Sequence, residues 1–292
     1  MRATTHTSAL VAVALTAALG ACRVGPHDVP HMMRGWNGSF PAFRIAGNLH
    51  YVGTDHMALF LLTTPAGHIL LDSGFETNVP ALRRSVESLG FRFQDIKILL
   101  ASHAHIDHVQ GHSLVRRLTG ARVLASAADA PVIASGGRGD WAYGSAFSWE
   151  PCPVDGVVRD GEAVTLGGTT LVAHLTPGHT KGATTWTTNV VDDGRPLAVV
   201  FYASGNVPPG ARLVGNPEYP QAIADFEHSF AVWRALPCDI FLGAHGEFFD
   251  LATKWRHLSA GARPNPFIDP SGYRRAIDGA EQRFRAEVAH EM

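Results

Sequence analysis

Four side chains able to bind a metal fall within one short string, His103-Ala104-His105-Ile106-Asp107-His108. The string follows Ile96 to Leu100, an almost wholly apolar run that reads as a strand buried on both faces. Residues just beyond a strand sit at the end of a sheet, where loops converge on one point. If the chain stays extended, the rings of His103 and His105 project to one side, and Asp107 and His108 turn toward a neighbouring position. A lone histidine on an apolar face is normally a core residue, but this density of donors has no use in packing. Two further histidines occupy the same station after a strand: His179 behind Pro177-Gly178, and His245 between Ala244 and Gly246. The chain has 16 histidines; His112, His174, His228 and His257 lack this setting and read as packing or surface residues. Imidazole is the commonest protein metal ligand, so the chemistry implied is metal-assisted.

The elements that must position these residues are strand-rich. Phe43 to Val52 and Met57 to Thr64 read as strands, and a Pro65-Ala66-Gly67 turn leads into His68 to Leu71 as a hairpin. Asn78 to Leu89 has helical spacing and ends at Gly90, a C-cap candidate. Val164 to Leu175 reads as strands around Gly167-Gly168, with further strands at Thr184 to Val191, Leu197 to Tyr202 and Ile240 to Leu242. Helices are expected over Gln221 to Leu236, Leu251 to Ala260 and Pro270 to His290. Two groups of strands, each with helices behind it, predict an α/β fold: an αββα sandwich of two mixed sheets with helices on the outer faces.

A formal net charge of -2 and the lack of any Lys/Arg run argue against nucleic acid as a partner. Residues 1–21 read as an export signal: Arg2 supplies a thin positive region and Ser8 to Leu19 an apolar stretch too short to span a bilayer. It ends in Leu19-Gly20-Ala21-Cys22, similar to the bacterial lipobox, after which Cys22 is lipidated and anchors the chain to a membrane. The alternative is ordinary cleavage near Ala21. Both place the protein in the periplasm. Residues 22–38 read as an irregular leader and 39–292 as one domain. Cys152 and Cys238 either pair in that oxidising compartment or stay free.

The histidine-aspartate string, with His179 and His245, resembles the metallo-β-lactamase superfamily. The supporting strings are Leu70-Leu71-Asp72-Ser73-Gly74, Gly215-Asn216-Pro217 with Tyr219-Pro220, Leu236-Pro237-Cys238-Asp239 and Ala244-His245-Gly246-Glu247-Phe248-Phe249-Asp250. The resemblance implies two zinc ions, one on His103, His105 and His179, the other on Asp107, His108 and His245. A histidine directly after the aspartate is similar to class B subclass 3 enzymes. The implied activity is hydrolysis of the β-lactam ring amide of penicillins, cephalosporins or carbapenems by a monomeric enzyme, conferring antibiotic resistance. In it zinc-bound hydroxide is the nucleophile and Asp107 orients it. Asp72 either orients a ligand from behind or is a strand-end turn residue.

Related lactonases and thioesterases carry a bridging aspartate after the strand ending near Tyr202. This chain has Ala203-Ser204-Gly205-Asn206 there, which favours the lactamase reading over hydrolysis of lactones or thioesters. Counting back from Asn216-Pro217 puts Gly205 and Val207 where subclass 3 enzymes carry serines for the substrate carboxylate. Ser204 and Asn206 are the expected substrate contacts, with Arg212 a further candidate. Gln110 stands where relatives have a small residue.

Overall fold

The computed structural model describes residues 27–292. The export signal and Cys22 lie outside the described residues. In the first sheet, β1 (Phe43–Ala46), β2 (Leu49–Tyr51), β3 (Phe60–Thr64) and β4 (Gly67–Leu71) form an antiparallel meander. The sheet continues in parallel through β5 (Ile96–Leu100), β6 (Arg122–Ser126) and β7 (Gly156–Val158). In the second, β8 (Ala163–Leu166), β9 (Thr169–Leu175), β10 (Thr184–Asp192) and β11 (Arg195–Tyr202) are antiparallel, and β12 (Ile240–Gly243) joins β11 in parallel. Both sheets are therefore mixed.

The period of a strand explains the layers. Phe60, Leu62, Ile69, Leu71, Ile98 and Leu100 enter one core with Leu171, Trp186 and Phe201 of the second sheet. Their neighbours Leu61, Leu70 and Leu99 face the other way, onto α1 (Val79–Ser88), which buries Val79, Leu82 and Val86. On the far side, α5 (Ala222–Ala235) and α7 (Pro270–Glu291) cover the second sheet with Phe226, Phe230, Trp233, Ile277 and Phe284. The αββα sandwich expected from the sequence is the fold observed.

Differences lie where the sequence signal is weak. The run expected over Phe43 to Val52 is two strands, because Gly47 adopts φ 51° and turns the chain back. Four elements were not among those expected: α3 (His112–Thr119), β6, α4 (Ala130–Ser135) and β7. The described part of the leader is irregular except for one short segment. His31–Asn37 forms a 3-10 helix. Cys152 and Cys238 are both free. Cys152 is buried in the core under the first sheet, whereas Cys238 packs against the inter-sheet core.

Candidate metal centre

Every sequence-expected ligand follows the C-terminal end of a strand. β5 feeds His103 and His105, and the short helix α2 (Ile106–Val109) begins directly after His105, whose backbone is still extended. That change of conformation separates His103 and His105 from Asp107 and His108. His179 follows β9 and His245 follows β12. Ala58 N–H donates to Ala244 O, and Met57 bridges His245, so the two sheets meet beneath the site.

The structure gathers the six residues into two adjacent triads. In the first, donor atoms of His103, His105 and His179 all lie within 4.8 Å of one another. Their ring centroids are 4.6 to 5.0 Å apart, and each pair of rings is edge-on. In the second, His108 Nε2 is 3.0 Å from Asp107 Oδ2 and 3.2 Å from His245 Nε2. His245 Nε2 is 3.5 Å from the same carboxylate oxygen. The triads touch through His103 and His108, whose centroids are 4.1 Å apart.

Hydrogen bonds behind the rings leave their other nitrogens facing inward. Asn206 O accepts from His179 Nδ1 at 2.7 Å. Ser102 Oγ sits 3.0 Å from His103 Nδ1, and it also donates to Asp72 Oδ2 at 2.6 Å. Asp72 Oδ2 accepts from His108 Nδ1 at 3.1 Å, so one carboxylate braces a residue of each triad. Its backbone holds φ 61°, and its Oδ1 accepts Ser102 N–H at 2.7 Å. Asp72 is thus both a turn residue and a brace. His103 Nε2 has no hydrogen-bond partner among the described residues, although the ring is 1 % exposed. A buried imidazole nitrogen left open among other imidazoles fits a metal ligand, because an unsatisfied buried polar atom is otherwise costly.

Electrostatics favour a cation here. Burial pushes His179 and His245 down to about 3 and His103 well below the usual imidazole range, aided by neighbouring rings. They are neutral, the form that ligates metal. Burial opposes the charge of Asp107, but His108 and His245 outweigh it and hold the carboxyl far below the usual carboxylate range. For His108 burial is again opposed, and Asp107 and Asp72 raise it to about 10.

Several residues of the site had escaped the sequence reading. Asp129, wholly buried, accepts Ala104 N–H, Thr180 Oγ–H and Gly182 N–H at 2.8, 2.8 and 3.0 Å. It ties the loop of His103 and His105 to the loop of His179. Asp140 Oδ2 lies 3.4 Å from His105 Nε2, and Tyr143 packs at a tilt against the same ring. Trp36, from the leader's 3-10 helix, packs on His56 and His245. Trp36, Asp140 and Tyr143 line a cavity of about 250 Å³ over the triads, with Ser204, Asn206, Val207 and Phe248.

Other expectations are altered. Arg212 is not among the residues lining that cavity. Gln110 points away from it, its amide nitrogen donating to Asp28 O in the leader and its oxygen accepting Glu76 N–H. A Cβ on Gly205 would lie 2.3 Å from the Tyr202 hydroxyl, so a serine has no room there. His112 is a buried partner of Ser73, His174 pairs with Thr187 on the sheet, and His228 and His257 are exposed.

The sequence model described as Metallo-beta-lactamase superfamily matches residues 58–190. The native FEZ-1 metallo-β-lactamase from Legionella gormanii superposes with a TM-score of 0.86 at 46 % identity, covering 87 % of this chain and 98 % of that one. The chain belongs to the metallo-β-lactamase superfamily. Within it, BJP-1, a subclass B3 metallo-β-lactamase of Bradyrhizobium japonicum, gives a TM-score of 0.84 at 34 % identity over 89 % of this chain and 97 % of that one. Among curated proteins, the hydroxyacylglutathione hydrolase of Fuscovulum blasticum is 30 % identical over 128 residues, 44 % of this chain. The chain spans about two fifths of that relative's length, 41 %. Fold and neighbours together support a metal-binding hydrolase of the subclass B3 group.

Proposed function

We propose that this metallo-β-lactamase-fold chain hydrolyses the amide of β-lactam rings in penicillins, cephalosporins and carbapenems, outside the cytoplasm, as a monomer. The observation that carries the reading is the pairing of a three-histidine cluster with an Asp107-His108-His245 cluster at the floor of one apolar-walled cavity. His103, His105 and His179 would hold one zinc ion and Asp107, His108 and His245 a second. Zinc bound there supplies Lewis acidity and lowers the pKa of water toward neutrality.

The chain's own residues do the rest. Asp107 is held ionised, so its role is to accept a hydrogen bond and orient the attacking water. Asp72, through His108 and Ser102, keeps both triads in register. Trp36, Tyr143 and Phe248 form an apolar wall that excludes bulk water from the substrate's rings. Ser204 and Asn206 contribute polar groups at one end of the cavity, and the strain of the four-membered ring lowers the barrier to opening.

A second reading, hydrolysis of thioesters, is favoured by the similarity to hydroxyacylglutathione hydrolases. The loop after β11 weighs against it, since Ser204 and Asn206 reach the cavity there and no carboxylate lies between Phe201 and Asn206. Relative kcat/KM for a cephalosporin and for a glutathione thioester separates the two. The lactamase reading requires the cephalosporin to be preferred by orders of magnitude, and the reverse preference would replace it. The export signal and Cys22 support membrane anchoring facing the periplasm, where β-lactams meet their targets.

A further inference from the structure

Asn206 spends all but one of its polar groups within the protein. Its N–H donates to Ser204 Oγ at 3.3 Å, and its carbonyl accepts His179 Nδ1–H at 2.7 Å. Its side-chain Oδ1 accepts from Arg283 Nη2 at 3.1 Å. Arginine carries donors and no acceptor, so the amide oxygen must face the guanidinium. That leaves the amide NH2 to other partners. Among the described residues it has no partner, while Asn206 lines the cavity over the triads. Its chain neighbours cannot substitute for it: Gly205 is turned against Tyr202 and Val207 is apolar.

The guanidinium does more than select one amide orientation. It withdraws charge from Oδ1 and makes the opposite NH2 a stronger donor. An adjoining cavity of about 690 Å³ shares Asn206, Val207, Glu247 and Phe248 with the first and is lined further by Arg275, Arg283 and Glu287. Arg283 therefore stands directly behind the Asn206 side-chain amide, with Arg275 nearby and the two glutamates as the opposing charges.

We propose that Arg283 is a specificity-positioning residue: it fixes the Asn206 amide so that its NH2 receives the carboxylate of a bicyclic β-lactam. The proposal rests on the lactamase reading for the substrate's identity. The pairing itself predicts preference for an anionic over a neutral ligand whether or not the ring opens. Arg283 is exposed and, among the described residues, its hydrogen bond to the cavity lining is made to Asn206, so its effect belongs in substrate affinity rather than in the chemical step.

The test uses the full zinc-loaded protein and one cephalosporin, as its free carboxylate and as its methyl ester. KM and kcat are measured for the unaltered chain and for Arg283→Met, Arg283→Lys and Asn206→Asp. Binding of both ligands is followed in parallel by intrinsic fluorescence, since Trp36 lines the cavity. Arg283→Met should raise KM for the free acid about tenfold, leave kcat within about twofold and leave the ester's KM unchanged. Arg283→Lys should recover part of the loss, and Asn206→Asp should match or exceed it by replacing the donor with an acceptor. A merely structural role would move acid and ester alike, and that result overturns the proposal. If neither compound is hydrolysed, the lactamase reading fails, and the acid-to-ester ratio of dissociation constants decides the pairing. No preference for the acid in the unaltered chain would overturn it.

Discussion

His108 Nδ1 lies 3.1 Å from Asp72 Oδ2, and both side chains are closed to solvent. The same carboxylate takes two hydrogen bonds from Ser102, which meets His103, so Asp72 braces both triads from behind. Partners of this kind typically contribute 10–100-fold to metal affinity. Asp72→Asn keeps a residue suited to the left-handed backbone at φ 61° but cannot accept on both sides. Zinc affinity, measured by competition with a chromophoric chelator, should fall about 10–100-fold. Asp72→Ala should lose the same affinity and, beyond the cost of the three donors left without an acceptor, about 1–2 kcal/mol of stability through backbone strain. Unchanged zinc affinity in Asp72→Asn would remove the brace from the account.

Asp129 joins the two loops that carry the first triad. Asp129→Ala leaves the Ala104 and Gly182 amides and the Thr180 hydroxyl without their acceptor in a buried place. Each such loss costs about 1–3 kcal/mol. Urea denaturation should therefore show a loss of about 3 kcal/mol or more. A loss under about 1 kcal/mol would mean that water replaces the carboxylate.

The depressed histidines give the chelated protein a pH dependence of definite sign. His179 and His245 stand at about 3 when folded and 6.5 when unfolded. Below pH 6.5 the unfolded chain takes up protons that the folded chain refuses, so their contribution is present above 6.5 and lost as pH falls. At pH 5 the loss is about 2 kcal/mol for each. His108 runs the other way: raised to about 10, its contribution is kept in acid and lost as pH rises through that value. The melting temperature of chelated protein should fall between pH 7 and pH 5. A flat or rising profile would contradict the burial of these rings.

Gly205 is closed to a side chain by the Tyr202 hydroxyl and the ring of Trp233. Gly205→Ser should destabilise by about 1–3 kcal/mol through overpacking and should not improve substrate binding. Thermal melting and KM for a penicillin check both halves. A stable variant with a lower KM would show that the loop opens freely.

The two candidate ligand clusters were legible because the sequence itself concentrates them, His103 to His108 in one string and His179 and His245 after recognisable strands. The strands were legible as short apolar runs bounded by turn residues, as in Phe60 to Leu71. The braces were not. Asp129 is 51 residues from Thr180, and Arg283 is 77 from Asn206. Such partners are joined only by folding, and nothing local distinguishes them from capping or surface residues. Trp36 was missed for a related reason: its short 3-10 helix has no apolar period, and its place is set by packing on His56 and His245. Gly205 was read as a missing serine. The fold shows a position where no serine fits.

The most direct test of the central claim is the initial rate of β-lactam ring opening by purified protein, followed by absorbance. A penicillin, a cephalosporin and a carbapenem are compared with and without a zinc chelator. The account predicts turnover that the chelator abolishes and added zinc restores, and that His179→Ala reduces by more than the ~10–100-fold expected for a bracing residue. Absence of turnover in protein verified to hold two zinc ions would contradict it, and so would turnover indifferent to the chelator.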